Sequence, residues 1–117
     1  MRKVRTELSK KSKWYISKHR YYELYHWCLQ YPEWKTILRT KRRDDLKIAM
    51  QIIEETAAEV GEDYGKYILR SVTDENVTFE ALYMRGMYWS KSTYLRRRRQ
   101  FFWTLDQKLT KEHSENN

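Results

Sequence analysis

Three glycines (Gly61, Gly65 and Gly86) and a single proline (Pro32) are all that punctuate the backbone of this 117-residue chain. A many-stranded sheet needs turn residues roughly every 8 to 12 positions, and so sparse a supply cannot serve one. Helices need far fewer. No segment alternates in the manner of a strand, and no internal repeat is present. The expectation is therefore an all-α fold, a compact bundle of about five to six helices. The length fits one domain, which on folding should bury roughly two thirds of the surface of its extended chain. Aromatic residues make up 15% of the sequence, far too many for a disordered tail.

Helical spacing sets the expected elements. Residues 1–13 carry Arg2, Lys3, Arg5, Lys10, Lys11 and Lys13 with almost nothing apolar, a pattern expected of a flexible basic arm. Residues 14–109 form the single helical domain. Ser17 suits an N-cap for a first helix reaching about Tyr31, with Tyr21, Leu24 or Tyr25, Cys28 and Tyr31 as its buried stripe. Pro32 stops that helix and fits the first turn of a short second one through Trp34, Ile37 and Leu38. Asp44 or Asp45 can cap a third, whose Leu46, Ala49, Met50, Ile53, Ala57 and Val60 keep period until Gly61 ends it. Asp63 can cap a fourth, with Tyr64, Tyr67, Ile68 and Val72 inward. After a turn over Thr73–Asn76, Thr78 caps a short helix that Gly86 breaks. Ser90 then starts a last helix to about Leu109, and residues 110–117 form a polar tail expected to be disordered.

Charge is sorted along the chain. Residues 1–43 hold 13 basic and 3 acidic groups, residues 44–80 hold 3 and 10, and residues 81–117 hold 8 and 3. Two basic ends around an acidic middle, with a formal net charge of +8, suit a surface that faces a polyanion. Cys28 is the only cysteine, which excludes an internal disulfide and a cysteine-rich zinc site. His26 and Cys28 point to different sides of a helix, so neither a metal site nor a catalytic thiol is expected. No nucleophile, base and orienting group form a set, so neither enzyme chemistry nor a cofactor is expected. No apolar run approaches the ~20 residues that cross a bilayer, and the basic amino terminus lacks the apolar core of a signal peptide. The expectation is a non-membrane protein of the cytoplasm.

The strongest functional signal lies between Thr78 and Leu109. A short helix, a glycine turn, a polar cap and a longer helix make a helix-turn-helix over residues 78–109, whose second helix would enter the major groove. Ala81 suits the packed point of the first helix, and Met87 plugs the angle between the two. On the last helix, Tyr94, Phe101, Phe102, Leu105 and Leu109 fall on one side. Lys91, Ser92, Thr93, Arg96, Arg97 and Gln100 fall on the other or its edges, and these are donor types that read bases and phosphates. Arg98 and Arg99 suit phosphate contacts or inter-helix salt bridges. Because four consecutive arginines straddle both faces, at least one must fold back along apolar surface. Lys18, His19, Arg20 and the Arg39–Arg43 run, Arg42 and Arg43 included, are further phosphate contacts on this reading. The aromatic residues of the first two helices are expected in the core, ahead of a base-stacking role.

The stretches VTFEALYMRGMYWSKSTYLRRRRQFFWTLDQKL and YYELYHWCLQYPEWK resemble small proteins of phages and prophages of Gram-positive bacteria. These are the late transcriptional regulators of the RinA and ArpU type, whose carboxyl-terminal part is similar to the last, DNA-binding region of sigma factors. In that pattern the glycine-hydrophobic turn, the cap, the Thr and the basic helix fall to Gly86, Met87, Ser90, Thr93 and Arg96–Arg99. Tyr88 and Trp89 are two residues more than the pattern has. The resemblance implies an activator of late transcription acting with host RNA polymerase in a bacterial host cell.

The expected function is sequence-specific binding of double-stranded DNA, as a monomer or homodimer. The expected site is Lys91, Ser92, Thr93, Arg96, Arg97, Arg99 and Gln100, with Arg42 and Arg43. Two rivals stand beside it: a small terminase-like DNA-packaging ring, and a phage protein that binds and inhibits a host factor.

Overall fold

The computed structural model describes the backbone of residues 13–115 and the side chains of residues 13–111. Of the basic arm, all but Lys13 lies outside the described residues. These residues form six α-helices and one 3-10 turn, with no strand among them. Helix α1 (Lys18–Cys28) begins where the Ser17 side chain accepts from the Arg20 amide at 3.2 Å, the N-cap expected of it. It ends at Cys28 instead of Tyr31. Tyr31 already opens α2 (Tyr31–Leu38), where Pro32 sits in the first turn and lacks only an amide that would be unpaired there.

Helix α3 (Asp44–Gly61) departs from expectation at both ends. Its N-cap is Arg43, without a side-chain cap; Asp44 and Asp45 lie inside the first turn, where their charge meets the positive end of the helix dipole. At the other end Gly61 is still helical, and Glu62 takes a positive φ of 53°. A 3-10 turn (Glu62–Tyr64) leads directly into α4 (Gly65–Thr73), so the Gly65 amide bonds to the Glu62 carbonyl and Asp63 does not cap. Gly65 is where the two helices meet most closely. A Cβ there would lie 3.0 Å from the Ala58 Cα and 3.2 Å from the Ala57 carbonyl oxygen.

Helices α1, α3 and α4 pack on the last and longest helix, α6 (Lys91–Glu115), and α2 packs on α3. The shared core joins Leu24, Cys28, Ile53, Ala57, Ile68, Val72, Phe101, Phe102 and Leu105, with Tyr21, Tyr31 and Trp34 at its edge. The aromatic residues of the first two helices thus divide: Tyr21, Tyr31 and Trp34 are buried, whereas Tyr22 is exposed. Polar groups in this interior are satisfied locally. Thr56 donates to the Ile52 carbonyl at 2.7 Å and Ser71 to the Ile68 carbonyl at 2.9 Å. Helix α6 continues past Leu109 to Glu115, through most of the expected tail, because residues 110–115 contain neither glycine nor proline to stop it. No helix among the described residues is long and apolar enough to cross a membrane.

Candidate nucleic-acid interface

Helix α5 (Phe79–Met84) starts at Thr78, whose hydroxyl accepts from the Ala81 amide at 3.1 Å. Its buried residue is Leu82, which forms a second small core with Met87 and Tyr94. Ala81, expected at the packed point, is exposed: one residue earlier lies about 100° round a helix. The chain turns at Gly86 with φ 118°, so the Met87 amide reaches back to the Leu82 carbonyl at 3.1 Å and its side chain is fully buried. Only glycine adopts that backbone without strain. Tyr67 of α4 braces the turn by donating its hydroxyl to the Arg85 carbonyl at 2.8 Å. Ser90 then caps α6, accepting from the Thr93 amide at 3.2 Å.

The two residues of excess have separate fates. Trp89 is half-buried, edge-on to Tyr64 with ring centres 5.1 Å apart. Tyr88 is 67% exposed and edge-on to Tyr83, beside Met84, which is 82% exposed.

The arginine run is split by the turn of the helix. Arg96 is exposed. Arg97 leans toward α3, donating to the Val60 carbonyl at 3.0 Å and pairing with Glu62 at 3.4 Å, while its guanidinium lies 5.3 Å from the Trp89 ring centre. Arg98 lies over Tyr25 and Phe102, at 5.2 and 5.7 Å from their centres. Arg99 is 5% exposed, donates to the Leu95 carbonyl at 3.1 Å and lies over Tyr21. Three of the four arginines therefore run along apolar surface with their charge set on aromatic faces. Of the expected base or phosphate contacts, Arg97 and Arg99 are thus engaged within the chain, and each would have to leave its partners to touch a duplex.

The remaining expected residues are spread out. Lys91 and Ser92 are exposed on the first turn of α6, with Thr93 half-buried beside them and bonded to the Ser90 hydroxyl at 3.0 Å. Gln100 is half-buried and lines a hollow with Trp14, Arg96, Arg97 and Thr104 against the end of α3. Arg42 and Arg43 lie before α3 and pair with Asp44 and Asp45 at 3.5 and 2.9 Å. They stand at the far end of α3 from the Arg97 contacts, about 25 Å away at 1.5 Å per residue. Arg20 is also engaged, its Nε 2.7 Å from Asp106 and its Nη1 2.6 Å from Glu23. The structure thus brings Lys91, Ser92 and Arg96 onto one exposed side, and Arg42 and Arg43 do not join them. Arg85, exposed at the start of the turn, was absent from the expected set; its place directly before Gly86 was the available signal.

Cys28 is fully buried, and burial pushes its thiol up, opposed in part by Arg98, which leaves it protonated and a poor nucleophile. Among the described residues, no three or more His, Cys, Asp or Glu side chains are grouped to hold a metal ion. Comparison with protein-family models, with curated proteins and with solved structures finds no match to this chain.

Proposed function

We propose that this chain is a phage-type transcriptional regulator that binds DNA sequence-specifically, with α5, the Gly86 turn and α6 acting as a helix-turn-helix. One observation carries the reading: the first turns of α6 are anchored by Tyr94 on one side and leave Lys91, Ser92 and Arg96 exposed on the other. A long amphipathic helix held from behind, with amine, hydroxyl and guanidinium donors at its amino-terminal end, has the chemistry to read base edges. Arg85 in the preceding turn suits a phosphate contact, and host RNA polymerase suits the partner of an activator.

The test is selection of preferred duplexes from a random pool, followed by gel shifts. Lys91→Ala/Arg96→Ala should lose the preference for selected over random DNA at least tenfold while its helical circular dichroism is unchanged. Equal preference in the double variant ends the proposal. Light scattering separates the regulator, a monomer or dimer, from a packaging ring of eight or more copies. Exposed Met84, Tyr83 and Tyr88 favour a second reading, a protein that docks on a host factor without DNA. Absence of any salt-sensitive gel shift would select it.

A further inference from the structure

A cavity of about 480 Å³ is lined by Lys35 of α2, Lys66 and Arg70 of α4, and Arg85 of the α5–α6 turn, and a neighbouring hollow that shares Lys66 carries Glu54, Glu62 and Asp63. No carboxylate lines the cavity itself, and none of these four cations is in an ion pair among the described residues. That is unexpected for this part of the chain, since residues 44–80 hold 10 acidic groups against only 3 basic ones, two of which line this cavity. Two aromatic rings floor the arrangement. The Lys35 ammonium lies 5.6 Å from the centre of Tyr31 and the Lys66 ammonium 5.1 Å from that of Tyr67, so both cations are positioned by ring faces and remain free to meet an anion. Tyr31 and Tyr67 are themselves tied down, by bonds to Glu54 and to the Arg85 carbonyl. An adjoining hollow shares Lys35 and Arg70 but carries Asp74 and Glu75, which bounds the cationic stretch on that side.

We infer that this groove binds the phosphodiester backbone of duplex DNA, as a positioning track separate from the base-reading end of α6. Cations from three elements that are distant in sequence converge on one open groove, whose one aliphatic lining residue, Leu69, is half-buried. A periodic polyanion satisfies such a row, and Arg85 connects it to the turn that leads into α6. The inference rests on the DNA-binding reading given above. It adds a second contact region, one that supplies affinity without sequence preference.

The experiment is fluorescence anisotropy of the full chain on a labelled random duplex, titrated with salt. Lys35→Gln/Lys66→Gln/Arg70→Gln removes three of the four charges and leaves polar side chains in their place. It should bind at least tenfold more weakly at 0.1 M salt, with the slope of log K against log salt reduced in magnitude by about 2 to 3. Its near-ultraviolet circular dichroism and melting temperature should match wild type. The control Lys13→Gln/Lys47→Gln/Lys111→Gln removes the same charge from exposed positions elsewhere. Equal weakening by control and groove variants overturns the groove. If the groove variant behaves as wild type while Lys91→Ala/Arg96→Ala loses its preference, the groove alone falls. The reverse pattern overturns the reading of α6 and leaves the groove. A wild-type chain that binds no duplex overturns both.

Discussion

At the scale of single residues, the arginine run shows what composition conceals. Neighbouring side chains on a helix are about 100° apart, so four in a row must take different environments. Fold-back of at least one arginine was legible from that spacing alone. Which ones fold back was not, because it depends on where Trp89, Tyr25, Tyr21 and the end of α3 lie in space. The expected outcome for Arg99→Ala is a loss of about 1–3 kcal/mol in urea unfolding with the salt dependence of DNA binding unchanged, since it removes buried packing and a hydrogen bond. Arg96→Ala should leave stability within about 0.5 kcal/mol and weaken DNA binding instead. Tyr31 offers a pH-dependent counterpart. Burial, then its bond to Glu54, holds the hydroxyl above the ordinary value of 10.0, so the folded state favours the neutral ring. Its contribution is complete below about pH 10 and is lost as pH rises beyond that. Melting temperature should therefore fall above pH 10, and fall less steeply in Tyr31→Phe.

At the scale of elements, the starts of helices with a hydroxyl cap were readable, as was that of α2 from Pro32, and those of α3 and α4 were not. Ser17, Thr78 and Ser90 each accept a bond from the backbone amide three residues on. Asp44, Asp45 and Asp63 fit the same pattern in sequence, yet Asp44 and Asp45 sit inside the first turn of α3, and α4 grows out of a 3-10 turn that already pairs its first amide. Aspartate serves a helix start either as a cap or as charge against the dipole, and sequence does not separate the two. The close approach at Gly65 was equally invisible, because it exists only once α3 and α4 cross. Gly65→Ala should cost about 1–3 kcal/mol by forcing that crossing apart. Gly86→Ala should cost a similar amount for another reason: its φ of 118° strains an L residue, and the new methyl would meet the Tyr67 hydroxyl at 3.0 Å. Near-ultraviolet circular dichroism should report the second change chiefly through Tyr67, Trp89 and Tyr94.

For the whole molecule, the sorted charge of the sequence becomes contact between its segments. Glu59 and Glu62 of the acidic middle, where α3 ends, meet Lys108 and Arg97 of the basic carboxyl-terminal helix, at 2.9 and 3.4 Å. The sequence showed three blocks of charge but not that two of them would be apposed. It showed even less that Lys35, Lys66, Arg70 and Arg85 would share a groove. Partly exposed ion pairs contribute little, roughly 0–1 kcal/mol each, so 0.5 M salt should shift the melting temperature only slightly. The same salt should abolish a gel shift that depends on releasing counterions from DNA. Arg97 stands where these relations cross, since its guanidinium reaches from α6 to the end of α3 and to the indole of the turn. Replacing Arg97 would loosen that joint whatever the chain binds. If the proposed DNA reading holds, Lys91, Ser92 and Arg96 are exposed positions through which target choice can drift without loosening that joint.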